Sequence, residues 1–222
     1  MEILKLSRRP LFDPVLRLLH AWNGFFIVAL LLTRAAADLL WLEGSVVGLW
    51  RLHVWLGYGL LLGMVGRVVW GLVGPERARW RVLWQPNLWR PARLNMRFWT
   101  LAAVDNKAVD NKAVDSKAVG APPPLVALVY LISYVVLLVS VLSGLALVAI
   151  EFDSGPLRAV LGLAFVWSEP ARILHVLGEI WLYLFLIGHF AAMIWQERRD
   201  GVPVAQGMIS GYGYQREAED ES

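Results

Sequence analysis

The sequence predicts an all-α protein, an integral membrane bundle of four helices. Three observations predict it. Of the 222 residues, 58% are hydrophobic, where a soluble domain usually holds about 45–50%. The excess gathers in four apolar runs of about 20 residues or more, long enough to cross a hydrocarbon core roughly 30 Å thick. All four histidines, His20, His53, His175 and His189, fall in those runs or at their edges, and none in the long polar connections.

The chain reads as one domain, 1–222. It opens on a short basic head with Lys5, Arg8 and Arg9. Asp13-Pro14 reads as a helix start, Asp as N-cap and Pro in the first turn. The first span is 15–36. It is read as a span and not as a cleaved leader, because a cut near Ala35-Ala36-Ala37 would discard His20. The second span, 51–73, opens RLHVWLGYGLLLGMVGRVVW. Its Gly57, Gly59, Gly63 and Gly66 admit close approach of a helix or of something flat, and the sequence leaves both open. Residues 74–123 are a long loop. Its first part mixes Arg with Trp, which suits a lipid surface. A pentapeptide repeat, AVDNK-AVDNK-AVDSK-AV, fills 103–119. It turns about 140° per repeat, so it builds no single apolar face and reads as linker. The third span, 124–150, holds no histidine, and Ser133, Ser140, Ser143 and Gly144 form a small-residue packing face. Ser168-Glu169-Pro170 reads as cap and first turn of the last span, 171–195. The tail, 196–222, is polar and ends acidic.

Lys and Arg set the orientation. Sixteen lie on the side of the head, the long loop and the tail; only Arg34, Arg51, Arg158 and Arg172 lie on the other. The positive-inside rule then places both termini and the long loop in the cytoplasm of a bacterial inner membrane. Depths follow. His175 and His189 share a helix and are fourteen residues apart, which is about 21 Å along the axis and about 40° around it. His20 falls in the cytoplasmic layer with His189, and His53 in the outer layer with His175.

Cysteine is absent, which excludes disulfides, thiolate-held iron–sulfur clusters and c-type haem attachment. The net charge of +3, with its basic residues gathered in loops, excludes a nucleic-acid partner; the partner surface is the lipid bilayer. Imidazole inside a bilayer is costly unless partnered. Two imidazoles facing across a bundle are what bis-histidine haem ligation needs, so His20, His53, His175 and His189 are the candidate metal ligands for two haem b groups per chain. Arg17 and Arg172 each precede a histidine by three residues, Arg51 precedes His53 by two, and Arg67 follows it by fourteen. All four are candidate partners for haem propionates, since Arg binds carboxylates bidentately. For Arg17, Arg51 and Arg172, snorkelling at helix ends is an equal reading; Arg67 is deeper. Glu179, one turn past His175, carries protons, orients an imidazole or faces a watery cleft, and the residues leave these open.

DPVLRLLHAWN in the first span, RLHVWLGYGLLLGMVGRVVWGLVGPERARW in the second, the two-histidine last span and the exit segment MISGYG resemble the prokaryotic cytochrome b561 and nickel–iron hydrogenase b-type cytochrome superfamily. The resemblance covers nearly the whole chain. It implies a four-helix cytochrome with two b haems, passing electrons across the membrane to or from quinone. By motif match the ligands fall on the same four histidines. The chain departs from the pattern in its pentapeptide repeat, and in Val176, where the family often has a carboxylate. The expectation is thus a dihaem b-type cytochrome. One alternative is the haem-bearing membrane subunit of a hydrogenase or other dehydrogenase complex. Another class is a transition-metal transporter using the four histidines, though such a site usually gathers its ligands at one depth. A third is a haem-free anchor. Whether the chain is itself a quinone oxidoreductase, and whether it pairs with a second copy, stay open.

Overall fold

The computed structural model describes residues 6–39, 46–82, 124–162, 164–201 and 203–216. The repeat at 103–119 and most of the long loop lie outside the described residues. Four long helices carry the fold: α1 (Pro14–Leu39), α2 (Val46–Val73), α3 (Pro124–Glu151) and, after the single turn α4 (Arg158–Leu161), α5 (Ser168–Asp200). All four are long and apolar enough to cross a membrane. Their outward faces carry large apolar side chains; Phe25, Leu62, Leu184 and Ile187 are each about two-thirds exposed. That inversion of the usual pattern is what a lipid solvent asks for.

The helices associate as two pairs. α1 packs chiefly on α2, and α3 on α5; contacts between the pairs are sparser. Within the first pair the glycine question is answered. A Cβ at Gly59, Gly63 or Gly66 would run into Phe26, into Trp22 and Asn23, or into Leu19 respectively, all on α1. These glycines are therefore a groove for α1, locked by the Trp22 indole N–H donating to the Gly59 carbonyl (2.8 Å).

One core cluster joins all four helices: Leu60, Met64, Leu137 and Val141, with Phe26, Ile27, Leu30, Leu61, Leu145 and Leu182 against it. Its position is informative. Ile27, Leu60 and Leu182 each follow a histidine by seven residues, His20, His53 and His175 respectively. At 1.5 Å per residue that is about 10 Å along each axis. The apolar core is thus a slab midway between the two histidine layers.

At the α1 start, Asp13 Oδ1 accepts the Leu16 N–H (2.9 Å), a true N-cap. It also accepts the Trp70 indole N–H (3.0 Å), tying α1 to the end of α2. The α5 start departs from expectation. Ser168 is already helical, and its hydroxyl donates to Glu151 (2.7 Å). A 3₁₀ turn, Phe165–Trp167, runs directly into the helix, so Ser168 makes no cap.

The tail holds more structure than its polarity suggests. α6 (Ala205–Ser210) is followed by β2 (Tyr212–Arg216), which pairs antiparallel with β1 (Leu6–Pro10) in the head, from Leu6↔Arg216 to Pro10↔Tyr212. Gly211 turns between them at φ 84°, where only glycine sits without strain, and its carbonyl accepts the N–H groups of Leu11 (2.8 Å) and Phe12 (3.2 Å). Arg17 closes the clasp, donating to the carbonyls of Met208 and Ile209. From the α5 side, Glu197 accepts the Ala205 N–H (2.7 Å).

Candidate functional site

The four histidines come together as two pairs, and each pair spans the seam between the helix pairs. His20 on α1 faces His189 on α5, with ring centroids 6.3 Å apart and planes at 47°. His53 on α2 faces His175 on α5, at 6.2 Å and 73°. Among the described residues no group of three or more His, Asp or Glu gathers at one place. The imidazoles are therefore arranged for two separate two-ligand sites.

The two pairs are surrounded differently. The Nδ1 of His53 lies 3.0 Å from the Thr33 hydroxyl. The Nδ1 of His175 lies 2.9 Å from the Ser140 carbonyl and 3.2 Å from the Ser143 hydroxyl. Gly144 makes room for that ring, since a Cβ there would stand 3.0 Å from His175 Cε1. Around His189 the neighbours are aromatic: Phe185 stacks at 5.7 Å and 21°, with Tyr130 at 6.4 Å and Phe190 at 5.8 Å. Among the described residues no hydrogen bond reaches the His20 or His189 ring.

Charge is placed asymmetrically too. Arg34, near the end of α1, meets Glu179 (3.5 Å) and Asp38, and its guanidinium lies over the Trp50 ring at 5.7 Å. Trp50 in turn meets the His53 ring at 5.9 Å. Glu179 thus faces a cation beside the His53–His175 pair. The Tyr183 hydroxyl donates to the Leu31 carbonyl (3.1 Å), a second tie between α1 and α5.

The four candidate arginines part company. Arg17 is committed to the tail carbonyls, and Arg172 pairs with Glu151 and Glu169 (3.8 Å). Arg51 is exposed on the first turns of α2. Arg67 alone of the four is buried, at 8% exposed. Its Nε donates to the Tyr134 hydroxyl (3.3 Å), and its guanidinium covers the Trp80 ring at 4.3 Å. Its Nη1 is buried and has no hydrogen-bond partner among the described residues. A small cavity of about 170 Å³ lies beside it, lined chiefly by Met64, Trp80, Tyr134 and Leu138.

Thr33, Arg34, Ser143 and Tyr130 were not marked by the sequence. Ser143 could be read only as a packing residue, and Thr33 is separated from His53 by a connection whose path no pattern gives.

A membrane-crossing helical bundle with two internal bis-imidazole pairs defines a class, the integral membrane cytochromes that hold haem between helices. The family model of prokaryotic cytochrome b561 matches residues 11–211, and the chain belongs to that family. No curated protein and no solved structure matches it. It is a multi-pass membrane protein that binds b-type haem and transfers electrons.

The residues fit that cofactor. A metal–imidazole bond of about 2.0 Å plus about 1.1 Å from nitrogen to ring centre puts two axial centroids about 6.2 Å apart. Both pairs stand at that separation. Among the described residues the buried Arg67 Nη1 has no acceptor, and a carboxylate such as a haem propionate would supply one. Leaving that nitrogen unmet costs about 1–3 kcal/mol.

Proposed function

We propose that the chain is a dihaem b-type cytochrome of the bacterial inner membrane, moving electrons between the two faces and exchanging them with quinone. Both termini and the long loop are cytoplasmic in this reading, as the distribution of basic residues supports. His20 with His189 would hold the cytoplasmic-side haem, and His53 with His175 the outer one. The single observation that carries the reading is the pair of matched centroid separations, 6.3 and 6.2 Å, in two layers on opposite sides of the apolar slab.

Haem supplies a reversible one-electron couple. The chain does the rest. Its imidazoles would hold the haem iron from both sides, which would leave no open position for a substrate and make transfer outer-sphere. The slab of Leu60, Met64, Leu137 and Val141 keeps water from the path between layers. Arg67 would pair with a propionate of the cytoplasmic-side haem, an acceptor that its Nη1 lacks among the described residues. The subunit reading shares all these roles and differs only in a catalytic partner; co-purification of a second polypeptide with the native protein would favour it. The transporter reading is disfavoured by histidines split two and two.

A pyridine haemochrome assay on the purified protein tests the stoichiometry. The expected result is two non-covalent b haems per chain, both low-spin. One haem or none per chain overturns the proposal.

A further inference from the structure

We infer that Thr33 and Ser143 are positioning residues for the outer pair: with the Ser140 carbonyl they fix His53 and His175 as Nδ1–H tautomers, so that each presents Nε2 as the ligand nitrogen and donates more electron density than His20 and His189 do. The inference rests on the proposed assignment of these histidines as haem ligands.

The protons can be followed one by one. A threonine hydroxyl has one proton. That of Thr33 goes to the Leu30 carbonyl, 2.9 Å away, which can only accept. Thr33 Oγ1 therefore has nothing left to donate to His53 Nδ1 at 3.0 Å. The proton between them belongs to the ring, so Nδ1–H donates and Nε2 carries the lone pair. The same holds across the seam. The Ser140 carbonyl can only accept, so His175 Nδ1 at 2.9 Å is also a donor. The Ser143 hydroxyl gives its own proton to that carbonyl (3.0 Å), which leaves its oxygen to accept from the ring.

The pattern repeats where no histidine is involved. Ser133 donates to the Val129 carbonyl (2.8 Å), and its oxygen accepts the Trp181 indole N–H (3.1 Å). Back-bonding to the helix makes a hydroxyl into an acceptor, and the fold uses the device against rings facing these helices. At the outer pair it has a consequence that packing alone lacks. A hydrogen bond from Nδ1–H raises the basicity of the ligand and stabilises the oxidised metal. No such bond reaches the inner pair among the described residues, where His189 is stacked on Phe185.

The test is a redox titration of the holoprotein, with the outer wave identified as the one His53→Ala removes. Thr33→Val keeps the shape and removes the hydroxyl acceptor, leaving only the Leu30 carbonyl near the ring. It should move the outer wave to higher potential, leave the inner wave in place and leave two haems per chain. Thr33→Ser restores the acceptor and should return the wave towards its original potential. Ser143→Ala should move the wave less, because the nearer Ser140 carbonyl still accepts from His175; Thr33→Ala, which also removes the hydroxyl, decides the matter if Thr33→Val does not accumulate. An outer wave that stays put in both Thr33→Val and Thr33→Ala, or that shifts alike in Thr33→Val and Thr33→Ser, overturns the inference. If His53→Ala leaves both waves intact, the ligand assignment falls and the inference with it. If His53→Ala removes one wave and Thr33→Val leaves that wave unmoved, only the inference falls.

Discussion

The two histidine layers present the same pair of imidazoles and hold them by different means. In the outer layer each ring is fixed locally, by Thr33 on one side and by Ser140 and Ser143 on the other, within reach of the Arg34–Glu179 ion pair. In the inner layer the rings are packed among aromatics, and what joins α1 to α5 lies beyond them, in the clasp of head and tail. The difference teaches that a bis-imidazole site needs its helices held in register, but not always by bonds to the imidazoles. On the proposed assignment it also separates the sites energetically. Hydrogen-bonded, more basic ligands favour the oxidised state, so the outer haem should have the lower midpoint potential.

That contrast can be broken from either side. The largest effect is expected from Gly144→Val, which drives a branched side chain into His175. It should abolish the outer haem while sparing the inner one, halving the haemochrome yield. Deletion of 205–222 removes α6, β2 and both carbonyls that Arg17 holds. It should loosen the inner site, seen as faster haem loss to apomyoglobin from the inner site alone. Equal loss from both sites would show that the clasp is a general staple. Smaller effects are electrostatic. Arg67→Ala removes a buried cation and should lower the inner midpoint by on the order of 1 kcal/mol, about 40 mV for one electron. Glu179→Gln removes the anion facing Arg34 and should raise the outer midpoint by a similar or smaller amount. Deleting 103–119 should change neither wave, because a five-residue period offers no packed face.

Much of this was legible in the sequence, and the reason is geometric. Helix rise and pitch are nearly invariant, so the spacing of His175 and His189 fixes two layers, and the span directions assign His20 and His53 to them. The pairs at 6.3 and 6.2 Å are what that argument requires. What spacing cannot give is the rotation of one helix against another. Thr33 is brought to His53 by the relative rotation of α1 and α2, and Ser143 to His175 by that of α3 and α5; either residue could have faced lipid without disturbing any pattern. Arg17 shows another limit of spacing. Its offset of three from His20 left a propionate partner and snorkelling open, and gave no sign of the carbonyls of Met208 and Ile209 that it reaches. The β1–β2 ribbon was illegible for the same reason, since two five-residue strands some two hundred positions apart carry no local signal of each other.

The most direct test of the account is a redox titration of the four single variants His20→Ala, His53→Ala, His175→Ala and His189→Ala. The layers are about 21 Å apart, so one haem cannot draw ligands from both. The expected result is two matched losses: His20→Ala and His189→Ala remove the higher-potential wave, and His53→Ala and His175→Ala the lower. Loss of the same wave in His20→Ala and His175→Ala, with His189→Ala sparing it, would contradict the account.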